Sequence, residues 1–309
     1  MTESGRPEFS RDELIAELGI SPEYVERMWR AFGFAHNTTS DKIFTADEIT
    51  ALRVFADSES TMPERAQTAT ARAIGQTMSR LADWQADQIL ELERDPTVPW
   101  TREQMVSALG VIQQLIWRCH LNLALERDIA RTDDEQAHLV VGFVDIVGYT
   151  SLSRRIGMTE LEELLEIFED RSHAIISSHG GHVIKTLGDA VLFTFEQAEP
   201  AAATALQLHQ LSGPDTPEAT DLLPPLRVGL AQGPVLSRLG DVFGEPVNIA
   251  ARLCGSARPG TTLVDEATAD ELADERPYFL HSISPLSVRG YRRLKSKTLA
   301  ANRYYSGTS

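Results

Sequence analysis

The chain has 309 residues, 42% of them hydrophobic, which is enough apolar content for two ordinary cores and too much for a disordered polymer. Its formal net charge of −16 argues against a general nucleic-acid or anionic-membrane binder, which needs a basic face. The start is polar, no run of about 18 apolar residues occurs, and the two cysteines, Cys119 and Cys254, suggest neither a disulfide nor a zinc framework. The sequence therefore reads as a cytoplasmic protein with no membrane span and reduced thiols.

The first part predicts helices only. Ser10 caps a helix to Leu18, Gly19 breaks it, and Ser21 with Pro22 opens the next. Thr45 followed by Glu48 has the spacing of a capping box. A long helical pattern runs from Pro63 to Arg94, and the segment Asp95 to Pro99 stops it. Thr101 with Gln104 caps a last long helix through Arg127. We place an all-helical domain at residues 1–127 and a charged linker at 128–137, with a second domain at 138–309. The four tryptophans, Trp29, Trp84, Trp100 and Trp117, all fall in the helical part and read as core packing.

The second part begins with a buried-strand pattern, LVVGFVDI, ending on Ile146. An amphipathic helix follows from Thr159 to Ser178, and Gly180 and Gly181 stop it. HVIKTLGDAVLFTF, residues 182–195, reads as two strands around a turn at Gly188 and Asp189. A helix from Ala198 to Leu211 comes next, then strands LRVGLAQG (226–233) and PVLSRLG (234–240), then a helix from Pro246 to Cys254. The order β-α-β-β-α-β predicts an α+β fold with a ferredoxin-like core and later additions.

Charge stands where it is expensive at two places. Asp145 ends an apolar strand, and Asp189 sits in the turn between two others. Carboxylates converging at adjacent strand ends suit hard divalent cations, while each alone reads first as a turn cap. Gly148, Tyr149 and Thr150 follow Asp145 toward a helix, so their amides are placed to receive phosphate.

Three motifs then make one pattern: FVDIVGYT (143–150), KTLGD (185–189) and GDVFGEPVNIAAR (240–252). In residues, order and spacing they resemble the class III adenylyl and guanylyl cyclases over about residues 138–305. The resemblance implies that Asp145 and Asp189, with the Ile146 carbonyl, hold two Mg²⁺ or Mn²⁺ ions per active site. It implies that Arg252 stabilises the transition state and that Asn248 orients the ribose. It gives Lys185 and Asp241 the reading of the base. A lysine donor and a carboxylate acceptor match N1 and the N6 amino group of adenine, and guanine reverses both, so ATP is the expected substrate. The segment from Val288 to Lys295 resembles the one that gives the triphosphate a basic group, with Arg289, Arg292 and Lys295 all eligible. The resemblance also implies a homodimer in which each site takes its metal ligands from one chain and the second set from the other.

Residues 9–56 resemble a winged-helix start, yet they hold more acidic than basic side chains, and the second helix carries Glu23 and Glu26 beside Arg27 and Arg30. A DNA reader needs a basic face. The first part also resembles the helical regulatory domain that precedes some actinobacterial cyclase domains, so a regulatory module is expected and no nucleic-acid partner. Two other readings stand: a cyclase-like nucleotide sensor weak in catalysis, and a DNA-binding regulator with a cyclase-like domain.

Overall fold

A computed structural model of the chain describes residues 9–34, 63–129, 137–212, 223–238 and 240–302. The chain divides into two compact units, Met1–Ala130 and Arg131–Ser309. The Thr45/Glu48 capping box and the later part of the winged-helix resemblance lie outside the described residues.

The helical unit starts with α1 (Arg11–Leu18), whose N-cap Ser10 and Glu13 form a full capping box, and whose C-cap Gly19 is left-handed. Helix α2 (Pro22–Phe32) is capped by Ser21 and starts on proline. It packs Tyr24, Met28 and Ala31 on Ala71 of α3 (Glu64–Leu92). There the Tyr24 hydroxyl donates to Gln67 Oε1 at 3.0 Å inside the contact. Helix α4 (Arg102–Ile129) opens on the reciprocal Thr101/Gln104 bonds the spacing predicts. It runs two residues beyond Arg127, into the expected linker. Of the tryptophans only Trp29 is buried; Trp84, Trp100 and Trp117 are more than half exposed. The core-packing expectation fails for those three because they sit on or beside α3 and α4, whose outer faces their own unit leaves bare.

The second unit is built on β1 (His138–Ile146), β2 (His182–Thr186), β3 (Ala190–Phe195) and β4 (Leu226–Pro234), with α5 (Tyr149–Leu152), α6 (Met158–Ser178) and α7 (Ala198–Leu208) between them. Taken in chain order these elements give the predicted β-α-β-β-α-β core. Later elements add β5 (Leu236–Arg238), β6 (Asp241–Phe243), α8 (Glu245–Ser256), β7 (Thr262–Asp265), α9 (Glu266–Glu271), β8 (Tyr278–Ser282), β9 (Leu286–Val288), β10 (Tyr291–Leu294) and β11 (Ser296–Ala301). The main sheet has seven strands in the order β2-β3-β1-β4-β7-β11-β8. Strand β1 is central, antiparallel to both β3 and β4, while β4 and β7 run parallel.

Strand alternation gives the sheet two different faces. Val140, Val144 and Ile146 point into the larger core with Leu164 and Phe168 of α6 and the alanines of α7. Leu139 and Val141 point the other way, into a smaller core with Ala231, Val242 and Ala250. The residues 234–240 do not form the single strand the sequence suggests. Pro234 closes β4, and Leu236–Arg238 folds onto Asp241–Phe243 as a separate two-stranded ribbon, turned by Gly240 at φ 76°.

His209, just after α7, shares a 2.8 Å hydrogen bond with Thr262 Oγ1, and burial drives its imidazole down to about 4. Its folded pKa thus lies below the unfolded value, so the unfolded chain binds more protons between those values and stability falls as the solution is acidified through that window. Between pH 7 and pH 5 the wild type should lose about 2 kcal/mol relative to His209→Gln. Denaturant unfolding of both proteins at the two pH values measures this, and a pH-independent difference would contradict it.

Candidate active site

The central strand delivers Asp145 to its end on the face of the smaller core, one residue before β1 stops. Arg227 of β4 stands directly opposite in the ladder, and its Nη2 donates to Asp145 Oδ2 at 3.1 Å. The other face of that guanidinium donates to the Gly255 carbonyl at 3.2 Å. Asp145 Oδ1 is buried and has no hydrogen-bond partner among the described residues. Asp189 arrives beside it because the β2–β3 turn folds back on β1, with the Ile146 amide donating to the Asp189 carbonyl at 3.0 Å. Burial pushes the Asp145 carboxyl above the usual carboxylate range, Arg227 offsets part of that, and the Asp189 charge adds to it. Two carboxylates therefore lie near one guanidinium, which bonds only Asp145, in a half-buried place, with one Asp145 oxygen unpaired among the described residues.

That is a deficit of positive charge, and a hard divalent cation fits it. Among the described residues no cluster of three or more His, Cys, Asp or Glu surrounds such an ion. A pair of carboxylates leaves coordination positions for water, backbone carbonyl and phosphate oxygens, the pattern Mg²⁺ prefers.

Gly148 follows at φ 75°, a left-handed conformation that only glycine adopts without strain, and caps α5. The first amides of that helix have no intrahelical acceptor, and Tyr149 and Thr150 open it four and five residues after Asp145.

The second group of residues lies on neighbouring elements. Lys185 on β2 and Asp241 at the start of β6 are 56 residues apart, and Lys185 Nζ donates to Asp241 Oδ2 at 2.5 Å. Helix α8 carries Asn248 and Arg252 one turn apart, both exposed. Asn248 Nδ2 donates to the Gly244 carbonyl at 3.3 Å, and Arg252 has no ion pair among the described residues. What sets α8 in place is Gly229 of β4. A Cβ there would stand 2.3 Å from both the Ala250 carbonyl oxygen and the Cys254 amide nitrogen. No hydrogen bond or ion pair among the described residues links Asn248 or Arg252 to Asp145 or Asp189.

The basic C-terminal candidates separate. Arg292 and Lys295 line a cleft of about 490 Å³ with Glu245, Asp265, Glu266 and Tyr291, and Lys295 is paired with Glu266 at 3.1 Å. Arg289 lies at the exposed tip beside Gly290 and is not part of that lining. The strand register sets Val264 level with Leu230, and Leu230 level with Gly142, so this cleft is displaced along the sheet from Asp145 of the same chain.

Arg227 went unnoticed in the sequence. The signal was there, an arginine opening the apolar strand LRVGLAQG, but only the β1–β4 register shows what it faces.

The family model described as adenylate and guanylate cyclase catalytic domain matches residues 133–301. An adenylate cyclase of Streptomyces coelicolor is 39% identical over 272 residues, 84% of this chain and 70% of its own length. An adenylate cyclase of Glutamicibacter nicotianae is 33% identical over 96% of this chain and 80% of its own. A pH-sensitive adenylate cyclase of Mycobacterium tuberculosis is 28% identical over 92% of this chain and 75% of its own. These similarities extend well beyond the matched domain into the helical unit.

Gly229→Ala should destabilise the second unit by about 1–3 kcal/mol, because backbone atoms of α8 must move to admit a methyl group. Unfolding curves test this, and an unchanged midpoint would show that α8 does not rest on this glycine.

Proposed function

This chain belongs to the adenylate and guanylate cyclase catalytic domain family, and from that premise we propose that it converts ATP to 3′,5′-cyclic AMP and pyrophosphate in sites shared by two copies of the chain. The single observation that carries the choice of ATP is the Lys185–Asp241 pair. Two residues far apart in sequence converge as a donor beside an acceptor. Adenine can insert between them, with Lys185 donating to N1 and Asp241 accepting from the N6 amino group. Guanine would set N1–H against the ammonium and O6 against the carboxylate, leaving both protein groups mispaired.

The reaction closes a ring. The ribose 3′-oxygen forms a bond to the α-phosphorus, the bond from that phosphorus to the bridging oxygen of the β-phosphate breaks, and the hydroxyl proton leaves to solvent. Two divalent ions, Mg²⁺ or Mn²⁺, held by Asp145, Asp189 and the Ile146 carbonyl would lower the pKa of that hydroxyl and neutralise the triphosphate. What supports this ligand set is the unpaired Oδ1 of Asp145 next to a second carboxylate. Arg227 holds Asp145 in position and tempers the repulsion between the two carboxylates. The amides of Gly148, Tyr149 and Thr150 receive phosphate oxygens. Asn248 orients the ribose, and Arg252, exposed and without an ion pair, donates to the α-phosphoryl oxygens as their charge grows. Arg292 is the C-terminal cation we assign to the triphosphate in place of Arg289, because it lies in the cleft beside α8 and is not engaged as Lys295 is.

The helical unit regulates this chemistry in our reading. Supporting that, it has a cleft of its own, about 560 Å³, between the end of α2 and α3, lined among the described residues by Arg30, which also pairs with Glu26, and by Arg72, Gln76, Ser79 and Arg80. An acidic helical surface with such a cleft suits an effector better than DNA.

Purified protein should form cyclic AMP from ATP with Mn²⁺ or Mg²⁺ and much less cyclic GMP from GTP. Arg252→Ala should lower kcat about a hundredfold or more with little change in KM, as expected for a contact made only in the transition state. Lys185→Glu combined with Asp241→Cys should cut kcat/KM for ATP by roughly two orders of magnitude. An unchanged preference for ATP in that double variant would mean the base is read elsewhere, and no product from either nucleotide would favour a nucleotide sensor.

A further inference from the structure

Within the helical unit the end of α2 lies directly on α3. Gly75 makes this possible, since a Cβ there would stand 2.2 Å from the Phe32 carbonyl oxygen. Gly33, left-handed at φ 90°, ends α2 at that point. The last turn of α2 and the facing stretch of α3 bound the cleft of about 560 Å³. Arg72, Gln76, Ser79 and Arg80 fall on one arc of α3 roughly 100° wide. All four are exposed and all four line the cleft, with Arg30 of α2 completing it.

Arginines gather near a helix C-terminus for an ordinary reason, its partial negative charge. That end of α2 is equivalent to about half a charge. Glu26 engages Arg30 at 2.8 Å. Arg72 and Arg80 have no ion pair or hydrogen bond among the described residues, and Arg27 nearby is taken up by Glu64. The cleft therefore holds more positive charge than the fold uses, in a chain whose net charge is −16.

We propose that this cleft binds a small anion with two phosphoryl groups, either inorganic pyrophosphate or a bisphosphorylated metabolite. The proposal rests on the regulatory reading of the helical unit and names the ligand class that reading lacks. Two guanidinium forks, on Cα atoms about 12 Å apart along α3, each suit one phosphoryl group in a bidentate contact. The Gln76 amide and the Ser79 hydroxyl lie between them in the chain and add neutral donors on the same arc. A single carboxylate would satisfy one fork and leave the other bare.

The lining also argues against larger ligands. Among the described residues it has no aromatic ring and no branched aliphatic side chain, and Ala31 is its one apolar side chain. A nucleoside base would find no stacking surface there, and an acyl chain no apolar wall. A bound diphosphate would tie the end of α2 to α3, strengthening a contact that the Tyr24–Gln67 hydrogen bond already holds. A ligand that binds one arrangement of two helices stabilises that arrangement, which is how occupancy would act on the unit.

Calorimetric titration of the full-length protein tests this, in EDTA so that no divalent ion recruits phosphate to Asp145 and Asp189. Inorganic pyrophosphate and a hexose bisphosphate are the probes, and their relative affinities name the source. At least one should bind roughly tenfold tighter than orthophosphate, as two forks against one predict. Arg72→Gln with Arg80→Gln, at exposed positions, should weaken that binding by roughly tenfold or more. Arg72→Lys with Arg80→Lys keeps the charge and loses the forks, so it should fall between. Arg252→Ala with Arg292→Ala, in the other unit, should leave the binding unchanged. Binding that survives the glutamine variant, is no tighter than that of orthophosphate, or is exceeded by that of a long-chain carboxylate would overturn the proposal. Cyclic AMP formation separates it from the reading beneath it. If the glutamine variant loses the binding but its rate responds to the probe as the wild-type rate does, the site stands and its regulatory role falls.

Discussion

Two carboxylates brought together at the end of a buried strand repel each other, and the second unit is arranged around that constraint. Asp145 is fixed by the central strand and Asp189 by the neighbouring turn, so neither can swing away. Arg227 supplies one positive charge from across the ladder. Burial still holds Asp145 above the ordinary carboxylate range and leaves one of its oxygens unpaired. Replacing these groups with apolar ones would suit the strand better, since a half-buried charged set is weak support for a fold.

The other side of the chemistry depends on packing. Gly229 lets α8 lie directly on β4, which fixes where Asn248 and Arg252 project. The β5–β6 ribbon brings Asp241 to Lys185. These two groups satisfy each other, so neither stands as an isolated charge. Opening that pair costs an ion pair at a partly exposed place, where such a pair is worth little.

Much of this was legible in the sequence, for identifiable reasons. Caps are local, and Ser10, Ser21 and Thr101 make the bonds that their spacing predicts. Alternation and turn residues located β1 through β4, and Asp145 and Asp189 drew notice because carboxylates beside apolar strands are costly. Pairings across strands were not legible. Arg227 looked like an ordinary residue at a strand start until the register set it opposite Asp145. The ribbon of β5 and β6 was read as one strand because three-residue strands carry almost no periodicity. The strands after residue 260 were not read individually, since their alternation is short and mixed with charge. The tryptophans show the converse failure: composition says that indoles prefer burial, yet Trp84, Trp100 and Trp117 are exposed, on or beside helix faces that no other described element covers.

Whether the active site is shared between chains can be measured directly by mixing. An Asp145→Ala chain lacks a metal ligand, and a Lys185→Ala chain lacks a base contact, so each alone should be inactive. In a mixed dimer with shared sites, one site collects both defects and the other collects none. Cyclase activity should therefore return on mixing, with time allowed for subunits to exchange, and it should peak near equal amounts. Wild type mixed with a chain carrying both substitutions should instead form dead mixed dimers. No rescue between the single variants, together with half-active dimers from wild type and the double variant, would place each site within one chain and contradict the shared arrangement.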